Sequence, residues 1–187
     1  MMRRPILLLA VFAAACSNQR GVTPERAVTA DSANQVMEKM AHTITRDGIR
    51  STYLEADSAW VYQERQVIDL KVVRITFYSP NGTVRSTITA DSGKYSVASG
   101  SLDAWGNVIA VTPAPDTSTL RTQQLTFDRV TNLIRSDTSY TYTGRRGSGS
   151  GASFETDPDF KRFRSWQPRG RQRGEGFLLP GQDTTGT

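Results

Sequence analysis

The chain has almost none of the residues from which catalytic and metal centres are built. It carries one cysteine, Cys16, and one histidine, His42, in 187 residues. Zinc sites and Cys-His catalysis therefore lack a constellation, and a lone histidine at the start of a strand reads as a surface or packed residue. No Gly-x-Ser-x-Gly elbow sits on a strand-to-helix turn. After the N-terminal segment there is no second long apolar run, so no transmembrane helix is expected. Helical periodicity of useful length is also missing. Charge is modest, with 23 basic and 18 acidic residues. The expectation is a protein without metal, cofactor or catalytic residues.

The N-terminus reads as an address. Arg3-Arg4 precede an apolar run from Ile6 to Ala15, which ends in Ala13-Ala14-Ala15-Cys16. That run is too short to span a bilayer and closes on small residues, as cleavable signals do. It resembles a bacterial lipoprotein signal in which Cys16 becomes the acylated first residue, although Ala13 stands where Leu is usual. Lipidation also accounts for a cysteine with no disulfide partner in an oxidising compartment. Without Arg3 and Arg4 the formal net charge falls from +5 to +3. The division expected is a lipoprotein-type signal at 1–15, an anchor and tether at 16–36, one folded domain at 37–166 and a disordered tail at 167–187. Gln35 to Met40 reads either as a helical turn or as the lead into the first strand.

Within the domain one phrase recurs. The interval from Gly48 to Gly82 is 34 positions, as is that from Ala56-Asp57-Ser58 to Ala90-Asp91-Ser92. A period of this size marks stacked units that bury their apolar faces on one another. Short runs rich in Val, Ile, Thr, Tyr and Phe alternate with turn signals, of which Asp47-Gly48 and Asn81-Gly82 are the strongest two-residue hairpin candidates. Later copies replace these with loops at Pro113-Ala114-Pro115-Asp116 and at Gly144 through Gly151. The third copy is Val108 to Val111 with Leu120 to Gln123, and the fourth is Tyr140 to Thr143 with Ala152 to Asp157. Two hairpins per period predict an all-β meander of about fifteen short strands, closer to an open or flattened sandwich than to a tight barrel.

Alternation identifies the apolar face. Val84, Ile88 and Ala90 share one side, while Arg85, Thr87 and Thr89 share the other. Ile75 with Phe77, and Leu125 with Phe127, form further inward pairs. Small residues Ala56, Ala90 and Ala104 recur at inward places, where bulk would block an interior. Asp57, Asp91, Asp137 and Asp157 recur at the structural period and read as turn caps rather than as catalytic or Ca²⁺-binding carboxylates. Lys161, Arg162, Arg164, Arg169, Arg171 and Arg173, interleaved with Phe160, Phe163 and Trp166, read as solvated charge. Attraction to anionic lipid phosphates is the alternative there, and nucleic acid is not an expected partner.

The order and spacing of several segments resemble a known family. Leu54-Glu55-Ala56-Asp57-Ser58-Ala59, residues 70–78, Thr89-Ala90-Asp91-Ser92-Gly93-Lys94-Tyr95, Leu102-Asp103-Ala104-Trp105-Gly106-Asn107-Val108, and residues 120–128 and 134–137 are similar to LptC. LptC is a periplasmic component of lipopolysaccharide export that shares its repeat with LptA and the N-terminal part of LptD. The resemblance implies a slotted antiparallel β-jellyroll built from repeated hairpins, and an apolar interior that accepts acyl chains. It implies edge strands that join neighbouring proteins. The partners implied are lipopolysaccharide, the inner-membrane Lpt ABC transporter, an LptA-like bridge protein and, through lipidated Cys16, the membrane. The family commonly has an N-terminal transmembrane helix, from which this lipoprotein-like signal departs. Ile75, Phe77, Val84, Ile88, Tyr95, Leu102, Leu125, Phe127, Ile134 and Phe154 are the candidates to line the lipid groove. A charged substitution at Ile88 or Phe127 is expected to stop lipid crosslinking without unfolding the domain. The alternatives are a soluble LptA-like bridge, a carrier of another lipid, or a structural β-repeat lipoprotein without cargo.

Overall fold

A computed structural model of the chain describes residues 32–145 and 147–172. The signal segment, Cys16, most of the tether and residues 173–187 of the tail lie outside the described residues. What is described is all β. Six long strands form a continuous antiparallel meander: β1 Gln35–Arg46, β2 Ile49–Tyr62, β3 Val67–Tyr78, β4 Val84–Ser96, β5 Leu102–Val111 and β6 Ser118–Asp128. Six short strands follow: β7 Leu133–Ser136, β8 Tyr140–Gly144, β9 Gly147–Gly151, β10 Ser153–Thr156, β11 Arg164–Trp166 and β12 Arg169–Gln172. Gln35 to Met40 is strand, resolving the open choice. Arg169–Gln172, in the expected tail, pairs with β9.

Strands expected as separate are long strands bent in the middle. Inward residues run Thr52, Leu54, Ala56 and then Ala59 on β2. On β3 they run Leu70, then Val73, Ile75 and Phe77, and on β4 Ser86, Ile88, Ala90 and then Gly93 and Tyr95. Each sequence contains one step of three where the pleat demands two. Since one added residue sends every later side chain to the opposite face, this step lets both halves of a strand face one interior only if the strand folds over. The steps line up across the sheet. The ladders skip Lys39 with Asp57, Asp57 with Val72, and Val72 with Asp91, and the register shifts between Trp105 and Val108. On alternate strands the skipped position is left-handed: φ is 54° at Lys39, 53° at Val72, 77° at Gly106 and 48° at Asn107. This line is a crease along which the sheet doubles back.

The two halves form two layers. Beyond β6 they part company. Ser118 to Thr122 of β6 pair with β8, which leads to β9 and β12, whereas Thr126 to Asp128 pair with β7, which leads to β10 and β11. The fourth copy of the repeat is thereby corrected, because Tyr140 to Thr143 and Ala152 to Asp157 lie in different layers instead of forming one hairpin. At the split, Thr122, Ser136 and Thr138 share a hydroxyl network, with Thr122 Oγ1 2.8 Å from Thr138 Oγ1 and Ser136 Oγ donating to Gln124 O at 2.6 Å. It satisfies polar groups where the ladder ends.

The crease also explains the recurring small residues. Ala56, Ala59, Ala90 and Ala104 flank it and are buried, since the layers converge there. Gly93 is the extreme case. A Cβ at this position would meet the Asp103 carbonyl oxygen at 2.9 Å and Val73 Cγ2 at 3.2 Å.

Turn chemistry was partly as expected. Asp47-Gly48 is a two-residue turn with φ of 52° and 77°, the combination a type I′ hairpin requires. Asn81-Gly82 is not. The strands end at Tyr78 and restart at Val84, and a bulge at Phe77/Tyr78 widens the loop, which Ser79 closes through its N–H to Thr83 O at 2.9 Å. Gly147-Ser148-Gly149-Ser150-Gly151, expected as a loop, is strand β9. Glycine is required at its end, where a Cβ on Gly151 would sit 2.7 Å from Tyr140 Cε1.

Candidate functional site

Nine of the ten interior candidates meet in one buried cluster. Ile75, Phe77 and Ile88 project from one layer, and Tyr95, Leu102, Leu125, Phe127, Ile134 and Phe154 from the other. Val84 is only half buried, at the start of β4 beside the 79–83 loop. The cluster also takes Leu54, Val73, Val108 and Leu120, which the candidate set missed. For Leu54 a signal existed, because it stands 34 positions before Ile88 in the repeated phrase.

This interior is filled. Phe77 and Phe127 meet edge-to-face across the layers with ring centroids 4.8 Å apart. Ile88 is 0% exposed. The expectation that a charge at Ile88 would leave the fold intact is therefore corrected. It would exchange a fully packed side chain for an unpaired buried charge, at a cost of several kcal/mol. Phe127, 4% exposed, is under the same constraint.

The layers are covalently continuous along the crease and held by side chains on the opposite side, the mouth. There the 157–163 loop, leaving β10 of one layer, crosses to β4 of the other. Arg85 grips Asp159 through both carboxylate oxygens, Nε to Oδ1 at 2.6 Å and Nη2 to Oδ2 at 2.9 Å. That grip holds the Asp159 carboxyl below its usual range. Ser86 Oγ donates to Pro158 O at 2.7 Å in a buried setting. The loop is kept in shape by Asp157, which accepts from the N–H groups of Lys161 and Arg162 at 2.9 and 3.3 Å. Phe163 then enters between the layers. It stacks on Phe154 of one layer at 5.5 Å and meets Tyr140 of the other edge-on at 5.5 Å. Burial pushes the Tyr140 phenol up, and its hydroxyl lies 2.5 Å from Ser165 Oγ.

The recurring aspartates do several jobs. Asp157 caps a turn as expected. Asp57 and Asp91 instead lie on the crease, where Asp57 accepts from Lys39 Nζ at 3.0 Å and Asp91 from Asn107 Nδ2 at 2.6 Å. Among the described residues no three His, Cys, Asp or Glu side chains gather as a metal would need. His42 is exposed at the β1 end, tilted against Tyr95 at 5.5 Å. No helix among the described residues is long and apolar enough to cross a membrane. The basic aromatic run is divided, with Phe163 packed inside, Arg162 on Asp157 and Arg164 near Glu155.

Fold and site together define a class: a doubled-over antiparallel sheet with a continuous apolar interior between two layers, closed on one flank by side-chain contacts. Residues 5–164 match the family described as "Lipopolysaccharide-assembly, LptC-related", and the chain belongs to that family. It is accordingly a non-enzymatic, periplasmic component of lipopolysaccharide transport. Among solved structures it is similar to LptH of Pseudomonas aeruginosa, described as the LptA-homologous periplasmic component of the lipopolysaccharide transport device. The TM-score is 0.51 at 12% identity over 73% of this chain and 88% of that one, a likeness of fold. No curated protein matches the chain in sequence.

Proposed function

We propose that this chain carries lipopolysaccharide by admitting its acyl chains between the two layers, taking them from the inner-membrane ABC transporter and passing them to an LptA-like bridge. The observation that supports this is the asymmetry of the sandwich. One flank is a continuous backbone crease, while the other is held by side-chain contacts, the Arg85–Asp159 pair and the Ser86 hydrogen bond. Side chains can part where backbone cannot. An acyl chain of about a dozen carbons gains roughly 10 kcal/mol on leaving water, at ~0.8 kcal/mol per CH₂. No bond is made or broken, so such a task needs no catalytic group.

Among the described residues, edge strand β1 pairs only with β2, and β11 and β12 end the two layers at the other side. Exposed edges normally invite aggregation. Here they offer strand addition to the neighbours on either side, which would make one interior continuous with the next. Acylated Cys16 would hold the β1 end at the membrane.

Photo-crosslinking tests this reading. Photoreactive residues at Phe77 and Phe127 are expected to capture lipopolysaccharide, and those at the outward Arg74 and Arg121 are not. Equal capture from both faces, or none from the interior, leaves a closed β scaffold without cargo.

A further inference from the structure

A small cavity opens at the mouth, where the outer turns of the two layers come together. It measures about 160 Å³ and is lined by Arg46, Arg50, Arg85 and Arg129, with Phe77 and Phe127 at its floor. Four guanidinium groups converge from four separate strands or turns, against one carboxylate in the lining, Asp47. Arg85 is engaged by Asp159. Among the described residues the other three hold no carboxylate. Arg46 Nη2 donates to Arg129 O at 2.5 Å, Arg129 Nη2 to Thr45 O at 3.1 Å, and the Arg50 guanidinium lies over the Tyr78 ring at 4.0 Å. Each thus keeps N–H groups free of any acid, and its orientation is already fixed by a carbonyl or a ring.

We infer that this cavity binds phosphate borne by an anionic amphiphile, so that the headgroup rests on the arginines while the acyl chains pass Phe77 and Phe127 into the interior. The inference rests on the proposed carriage and assigns the place of its polar end. Planar guanidinium forks match phosphate oxygens in pairs. The site holds about five waters' volume at ~30 Å³ each, enough for a phosphate group and too little for an acyl chain. Its floor is the same Phe77–Phe127 contact that closes the interior. A headgroup bound there would therefore sit directly over the entry.

The test uses the full chain with lipid A carrying its phosphates, the same lipid dephosphorylated, and inorganic phosphate as competitor. The native chain is expected to prefer the phosphorylated form about tenfold or more, less so at high salt. Arg50→Gln, whose exposed side chain lies over the Tyr78 ring, and Arg129→Gln should each reduce that preference several-fold. Arg74→Gln, an arginine on the outward face of β3, should not. Loss of preference in the presence of inorganic phosphate identifies the phosphate group itself as the ligand, and its persistence identifies the headgroup as a whole. Equal binding of the two lipids, or an equal effect of Arg74→Gln, overturns the site while leaving carriage intact. Binding of neither lipid overturns carriage, and the site with it.

Discussion

Replacing Arg85 with alanine should loosen the mouth in a way that is readable twice. The pair is bidentate, charge-assisted and partly shielded, with side chains 21% and 26% exposed. Hydrogen bonds to charged groups contribute about 1.5–3 kcal/mol, and partial exposure takes the lower end, so about 1–2 kcal/mol is expected. For a domain of this size that lowers Tm by roughly 2–8 °C. The pH dependence fixes the origin of the loss. Asp159 has a folded pKa below its unfolded one. Its contribution is therefore fully present above the ordinary carboxylate value near 4 and disappears as pH falls through the lowered folded value. The Tm gap between native chain and Arg85→Ala should be constant from pH 5 to 8, begin to narrow below about pH 4, and close once pH has passed the lowered folded value. If the pair also holds the layers together against opening, Arg85→Ala should take up a fluorescent acyl probe several-fold faster at pH 7. A gap that does not narrow as pH falls below about 4 refutes an ionic origin, and an unchanged uptake rate refutes the mouth as the point of entry.

Other consequences follow from the crease and the interior. Gly93→Ala places a Cβ against the Asp103 carbonyl, a backbone atom, and should lower the unfolding free energy, read by denaturant titration, by about 1–3 kcal/mol. Val72 is exposed and left-handed, so Val72→Gly should raise stability by about 1 kcal/mol in the same assay, against the usual direction for glycine in a strand. Phe127→Ala should cost about 3–5 kcal/mol, through lost burial and the void left beneath Phe77. Cys16→Ser should remove the acyl mass from the mature chain and move it from the membrane fraction to the soluble one.

Much of the fold was legible because the repeat is carried by short-range signals. Asp47-Gly48 specifies its turn through two positive φ angles, and alternation around Ile75, Ile88 and Phe127 specifies which side is buried. The crease was also written in the sequence, in the i, i+3 spacing of Ala56 and Ala59, Leu70 and Val73, and Thr122 and Leu125. Alternation read strand by strand restarts at each such step, so bent strands were counted as pairs of shorter ones. Pairing after β6 was not legible, since it depends on which layer each short strand joins. The glycine-rich β9 has no side-chain pattern to betray it. Nor were the mouth arginines, because Arg46 and Arg50 flank one turn while Arg85 on β4 and Arg129 after β6 lie far along the chain, and only the doubled sheet brings them together.

A filled interior and a carrier are compatible once the resting state is considered. An empty trough between two apolar layers would expose both walls to water, at about 25 cal/mol for each Å² left uncovered. Collapse of Phe77 onto Phe127 covers those walls with each other. An acyl chain entering then exchanges one apolar contact for another, and the gain is that of removing the chain itself from water. Because the layers are joined by continuous backbone at the crease, where Ala56, Ala59, Ala90 and Ala104 are buried and Gly93 has no room for a Cβ, the displacement must grow toward the mouth. Amide hydrogen exchange should accordingly accelerate on lipid binding in the 157–163 segment and at the β3–β4 turn, and stay slow along the crease. Uniform slowing across both flanks would mean that nothing opens, and the lipid would have to bind elsewhere.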